Sequence, residues 1–325
     1  MRAVAILGLS LALCQGSAAS SAQGLKGNGP TGIATGYGAV WLGTGGGSVI
    51  RIDAQTSRIV QRIEVSFSSV QRLVAAYGSM WVATGTGLLK RIDPLTGRVH
   101  EISGRDQCTS ASVALVAGTI WVLDFHHKRL CRVDPARNRI IRRVSVDEGE
   151  PLTLSLASDP SRLWLAANME PKPAMVEDNL EQVRLIALDP HSGMQVGPAI
   201  DTAGWVGFSR AFGSLWAADP VAETLARIDP LSGRTSTLRL GVDSGVAPTG
   251  GFGSLWLPAG AALQRLDPDS LATVAEIPIR ASAIAVGSGS IWVLNSGDGT
   301  RGTVTRVDPR TNRVVGGPLR VVPKP

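Results

Sequence analysis

The sequence is poor in the residues that chemistry at a protein site usually draws on. Its 325 residues include only four histidines, three cysteines and two tyrosines. Beyond the N-terminus no apolar stretch approaches the ~20 residues that cross a bilayer as a helix, so no transmembrane segment is expected. "GTGGGS" from Gly43 to Ser48 lacks the Lys-Ser/Thr ending of a phosphate-binding loop and reads as a tight hairpin turn. No Gly-x-Ser-x-Gly elbow stands between a strand and a helix. "GSGSI" from Gly287 fills a slot that recurs as "GFGSL" from Gly251, so its serine belongs to a repeat. Histidine is as uninformative: His126 and His127 are adjacent, and neighbours in an extended chain point oppositely, so they chelate poorly unless Asp124 joins them. No metal site and no cofactor is expected.

The chain is instead rich in turn formers, with 38 glycines and 19 prolines, both of which interrupt helices. The first residues, "MRAVAILGLSLALCQGSAASSAQG", pair one positive charge with a short apolar run and small residues. That is the pattern of a secretory signal, with cleavage after Ala18 or Ala22. Residues 1–22 are therefore read as a signal peptide and the location as periplasmic or secreted. Cleavage leaves Cys108 and Cys131 in a compartment that permits disulfides. If one strand separates them, two strand spacings exceed the roughly 7 Å a disulfide spans, so only a folded-over loop could join them.

Seven tryptophans share one local context: "AVWLGT" at Trp41, "SMWVAT" at Trp81, "TIWVLD" at Trp121, "RLWLAA" at Trp164, "SLWAAD" at Trp216, "SLWLPA" at Trp256 and "SIWVLN" at Trp292. Their separations are 40, 40, 43, 52, 40 and 36 residues, and an aspartate follows each, from Asp53 to Asp308. Within a unit the pattern is four short alternating strands, with a glycine turn leading to the tryptophan strand in all but the fourth unit and an Asp-Pro turn before the last strand in all but the first, which has Asp53-Ala54. In that turn aspartate caps through its side chain, proline fixes φ and glycine accepts the left-handed conformation. Four-stranded units of about forty residues, seven times over, predict an all-β fold, a seven-bladed β-propeller occupying residues 23–325 as a single domain. The tryptophans are assigned to the layers between blades, and the ring is expected to close without splitting a blade between the termini.

The pattern "GSLWVA…L.RIDP.TGRV" resembles the secreted seven-bladed propellers of the YVTN-repeat and streptogramin B lyase (virginiamycin B lyase)-like group, across the whole mature chain. The resemblance implies the propeller. It also implies a test for the lyase activity, since those lyases follow the blade tryptophan with Phe-Thr-Glu and use Glu and His at the central channel. No such glutamate follows any of the seven tryptophans here. Without that catalytic motif, the expected function is binding and not catalysis, with a lyase or hydrolase as the alternative.

The formal charge of +6 suggests nucleic acid, but position argues against it. Six arginines stand two before a blade aspartate and five stand five after one, so the repeat spreads them around the ring, near carboxylates by expectation. Blade three alone concentrates charge, with seven basic residues from Lys128 to Arg143. Charged outer strands prevent edge-to-edge pairing, which is reason enough for them.

What the repeat does not require is more telling. Trp205 is the one tryptophan outside the repeated position, and 25 residues separate Trp164 from Asp189 where most blades use 11 to 13. The excess, "NMEPKPAMVEDNLEQ", falls in a second-to-third-strand connection, on the face where the inner strands begin. Expected on that face are Thr44, Thr84, Asp124, Asp219 and Asn295, three residues past their tryptophans, with Arg105, Glu150 and Arg280 from loops and Asn168 and Glu177 from the insertion. Together with Trp205 they form the candidate binding mouth, for an unidentified ligand or envelope protein, in a chain expected to be monomeric.

Overall fold

The computed structural model describes residues 29–321, apart from 86–88, 103–107, 109–111, 125–126, 147–150, 159–160, 170–181, 204–206, 221, 243–245 and 298–300. Among the described residues there is no helix; 28 strands form seven separate four-stranded antiparallel sheets. Blade one is β1 (Pro30–Gly36), β2 (Ala39–Thr44), β3 (Ser48–Asp53) and β4 (Arg58–Glu64); blade two is β5 (Val70–Ala76), β6 (Ser79–Thr84), β7 (Lys90–Ile92) and β8 (Val99–Glu101). Blade three is β9 (Ser112–Val116), β10 (Thr119–Asp124), β11 (Arg129–Asp134) and β12 (Arg139–Ser145); blade four is β13 (Pro151–Ser158), β14 (Leu163–Met169), β15 (Gln182–Leu188) and β16 (Ile200–Ala203). Blade five is β17 (Gly207–Ala211), β18 (Ser214–Asp219), β19 (Thr224–Ile228) and β20 (Thr235–Arg239); blade six is β21 (Thr249–Gly251), β22 (Ser254–Ala259), β23 (Ala262–Leu266) and β24 (Thr273–Ile277). Blade seven is β25 (Ala283–Gly287), β26 (Ser290–Asn295), β27 (Gly302–Asp308) and β28 (Arg313–Val321). Each blade is one uninterrupted run of chain, so the ring closes without a strand exchanged between its ends.

Two turn types recur around the ring. In every blade but the fourth the inner hairpin is a two-residue turn with both central residues at positive φ, as at Tyr77 (48°) and Gly78 (67°), the geometry that follows the right-handed twist of the strands. The outer hairpin is the aspartate turn: Asp93 Oδ1 accepts from the backbone N–H of Leu95 at 2.9 Å and of Thr96 at 2.8 Å, and from the Thr96 hydroxyl at 3.0 Å. The same pattern holds at Asp189, Asp229 and Asp267 with serine in place of threonine. At each of the seven blade aspartates the pKa lies below the ordinary carboxylate value. Six owe this chiefly to backbone N–H donors in the turn, and Asp134 owes it first to the Arg137 side chain.

The core is divided among the seams. Trp41 packs with Leu73, Met80, Val82 and Ile92 of the next blade, and the other tryptophans repeat this around the ring. The last seam joins Trp292 to Ile33, Val40, Leu42 and Ile50 of blade one. All seven are less than 2% exposed, which makes them scaffold. The closing seam also has its own hydrogen bonds. Thr35 Oγ1 donates to the Val286 carbonyl at 2.9 Å, Ser296 Oγ to Pro30 O at 2.9 Å, and Arg306 Nη1 to Gln55 O at 3.3 Å.

Five of the six arginines two before the blade aspartate stack on their blade's tryptophan. Arg265 lies 5.3 Å over the Trp256 ring, gives its Nε to Ser254 Oγ at 2.8 Å, and reaches the next blade's turn through Pro309 O at 2.7 Å and Asn312 Oδ1 at 2.8 Å. Arg91 makes the same set with Trp81, Ser79, Pro135 and Asn138. A guanidinium is planar and has donors on several edges, so it can stack on indole and bridge two blades at once.

Candidate functional site

The register fixes which end of each blade is which. Pro30 at the start of β1 pairs with Thr44 at the end of β2, so the inner strands begin on the face where the second and third strands are joined. On that face Thr44, Asp219 and Asn295 turn back on their own hairpins. Thr44 Oγ1 accepts from Ser48 N–H at 3.0 Å, Asp219 Oδ1 from Ala222 N–H at 2.9 Å, and Asn295 Oδ1 from Gly297 N–H at 2.9 Å. Thr84 is fully buried. Thr44, Asp219 and Asn295 act as caps where strand two ends, which accounts for their polarity without a ligand. Arg280 is exposed in the connection from blade six to blade seven. Trp205, Arg105, Glu150 and Glu177 lie outside the described residues, as does the side chain of Asn168.

Asp124 departs from its equivalents. It is wholly buried, its Oδ2 accepts from Arg129 Nε at 2.9 Å, and His127 Nδ1 lies 2.9 Å from Oδ2 and 3.0 Å from Oδ1. Beside it Cys108 and Cys131 form a disulfide with Cα atoms 6.5 Å apart. Cys108 reaches Cys131 from the chain between β8 and β9, the folded-over route that strand spacing demands. Donor atoms of Cys108, Asp124 and Cys131 lie within 4.8 Å of one another.

Blade four carries the other departure. β14 and β15 stay paired to their very ends, Met169 opposite Gln182, so residues 170–181 leave and re-enter at one point on the inner-strand-start face. The corresponding connection in blade one runs only from Thr44 to Ser48 and in blade six from Ala259 to Ala262. The seven inner strands themselves carry no histidine, aspartate or glutamate; their charged residues are Arg72 and Arg210.

No family model matches the sequence, and no curated protein matches it significantly. Solved structures do resemble it. A chain of Kuenenia stuttgartiensis hydrazine synthase is similar over 92% of this chain and 97% of its own, at a TM-score of 0.63 and 14% identity. The computationally designed Ika8 protein is similar over 91% and 89%, at a TM-score of 0.60 and 12% identity. At such identities the likeness concerns the fold alone.

Proposed function

We propose that the protein is an exported propeller that binds a ligand or an envelope protein without transforming it, through the face from which residues 170–181 leave blade four. The observation that carries this reading is the closed base of the insertion at Met169 and Gln182: the blade is complete without the extra residues, so they are available for recognition. Pro171 and Pro173 narrow the conformations of the segment, which lowers the ordering cost of binding. The inner strands supply no acid or base for the alternative, a lyase or hydrolase working in the channel.

Affinity capture from envelope extract tests the binding reading, comparing the intact protein with one in which an Asn-Gly turn replaces residues 170–181. Loss of the captured partner is expected. Unchanged capture at unchanged affinity would move the site elsewhere, first to the basic edge of blade three. Export is tested by N-terminal sequencing of the mature protein, expected to begin between Ala19 and Gln23; a retained Met1 contradicts it.

A further inference from the structure

A buried carboxylate between two cysteines is more than a hairpin cap requires. The position of Asp124 is threonine in blades one and two (Thr44, Thr84) and alanine in blades four and six (Ala167, Ala259), so the turn forms without a charge. Cys108, Asp124 and Cys131 are 3%, 0% and 0% exposed, in the seam where Trp81 meets blade three. His127, whose side chain is 56% exposed, places a ring nitrogen at the edge of this group, 2.9 Å from Asp124 Oδ2.

We propose that the Cys108–Cys131 pair, once reduced, forms with Asp124 a site for a thiophilic divalent cation of the zinc class, with His127 as the fourth donor. Two sulfurs, one carboxylate oxygen and one imidazole nitrogen are a donor set that favours zinc over magnesium or calcium. The donor atoms of Cys108, Asp124 and Cys131, all within 4.8 Å of one another, suit gathering round one small ion; His127, 2.9 Å from Asp124, stands outside that group, and its ring turns toward the sulfurs to complete the set. Charge supports the assignment as well. Two thiolates and a carboxylate carry three negative charges, which a dication and the Arg129 guanidinium balance, and a buried cluster has to be close to neutral. Oxidation and metal binding exclude each other. A dithiol reductant passes two electrons to the S–S bond and becomes a disulfide itself; the two thiols then lose their protons to solvent as the cation binds.

The test uses the full chain, reduced with a phosphine under anaerobic conditions and checked for two free thiols. Cobalt(II) is then titrated in as the spectroscopic stand-in for zinc. One equivalent should raise a sulfur-to-cobalt charge-transfer band that zinc abolishes, while the oxidised protein shows none. Asp124→Asn and His127→Ala should each weaken cobalt affinity by about tenfold or more, because both change a ligand while keeping the thiols. The proposal is overturned if the reduced chain shows no thiolate band, or if either variant binds as tightly as the parent. It is equally overturned if reduction unfolds the chain by circular dichroism and cobalt does not restore it.

Discussion

The residue that ties this propeller together is an arginine, and blade one shows what happens when its setting is incomplete. In blades two, five, six and seven the arginine Nε donates to a serine two positions before the tryptophan: Ser79, Ser214, Ser254 and Ser290. Blade one has Ala39 there, and the buried Nε of Arg51 has no acceptor although its guanidinium still stacks 5.6 Å from Trp41. Ala39→Ser should therefore stabilise the protein by about 1 kcal/mol, the worth of one satisfied buried donor, as read by urea unfolding. An unchanged or lower stability would mean that the hydroxyl does not reach Arg51. The aspartates add a pH dependence of known sign. Their folded pKa values lie below the unfolded carboxylate value of about 3.9, so their contribution is complete above that pH and is lost as pH falls through the folded values. The melting temperature should hold from neutral pH down to about 5 and fall below about 4. Asp267→Asn, which keeps the turn acceptor but cannot titrate, should make the acid drop shallower.

At the scale of strands and turns, most of the molecule was legible, because each blade repeats turn chemistry with a local mechanism. Trp256, the Gly253 turn and Asp267 can each be assigned from neighbouring residues alone. The arginine latch was not read, although the serine two before the tryptophan recurs with an arginine two before the aspartate. Its partners lie on the next blade, as with Arg265 and Asn312, 47 residues apart, and a repeat does not reveal which copies touch. The capping at the mouth was not legible for a related reason: Thr44, Asp219 and Asn295 are polar and share a face, and hairpin capping is a local demand that the same residue types satisfy. The inner turns allow a direct check of the local account. Ala117, exposed and at φ 42°, occupies a position that suits Asn. Ala117→Asn, giving Asn-Gly with Gly118, should raise stability by about 0.5 to 1 kcal/mol in thermal unfolding. A loss would show that the turn is not limited by backbone strain.

For the whole molecule, the question is how a ring with no shared blade stays shut. Blade seven meets blade one through the Trp292 cluster and through polar bridges between residues as much as 266 positions apart. The seam is also close-fitting: a Cβ on Gly287 would come 2.3 Å from Thr35 Oγ1, the hydroxyl that donates to Val286 O. Gly287→Ala should thus cost about 1 to 3 kcal/mol and speed amide exchange in β1 and β25 before other blades, while a uniform change around the ring would argue against a distinct closing seam. The repeated residues are consumed in seams and turns, and blades three and four carry the departures that the proposed recognition face rests on. The most direct test of that division is amide hydrogen exchange on the protein bound to its captured partner. Protection is predicted at residues 170–181 and at the adjoining ends of β14 and β15. Protection confined to the aspartate-turn face, or to β12 on the edge of blade three, would contradict the account.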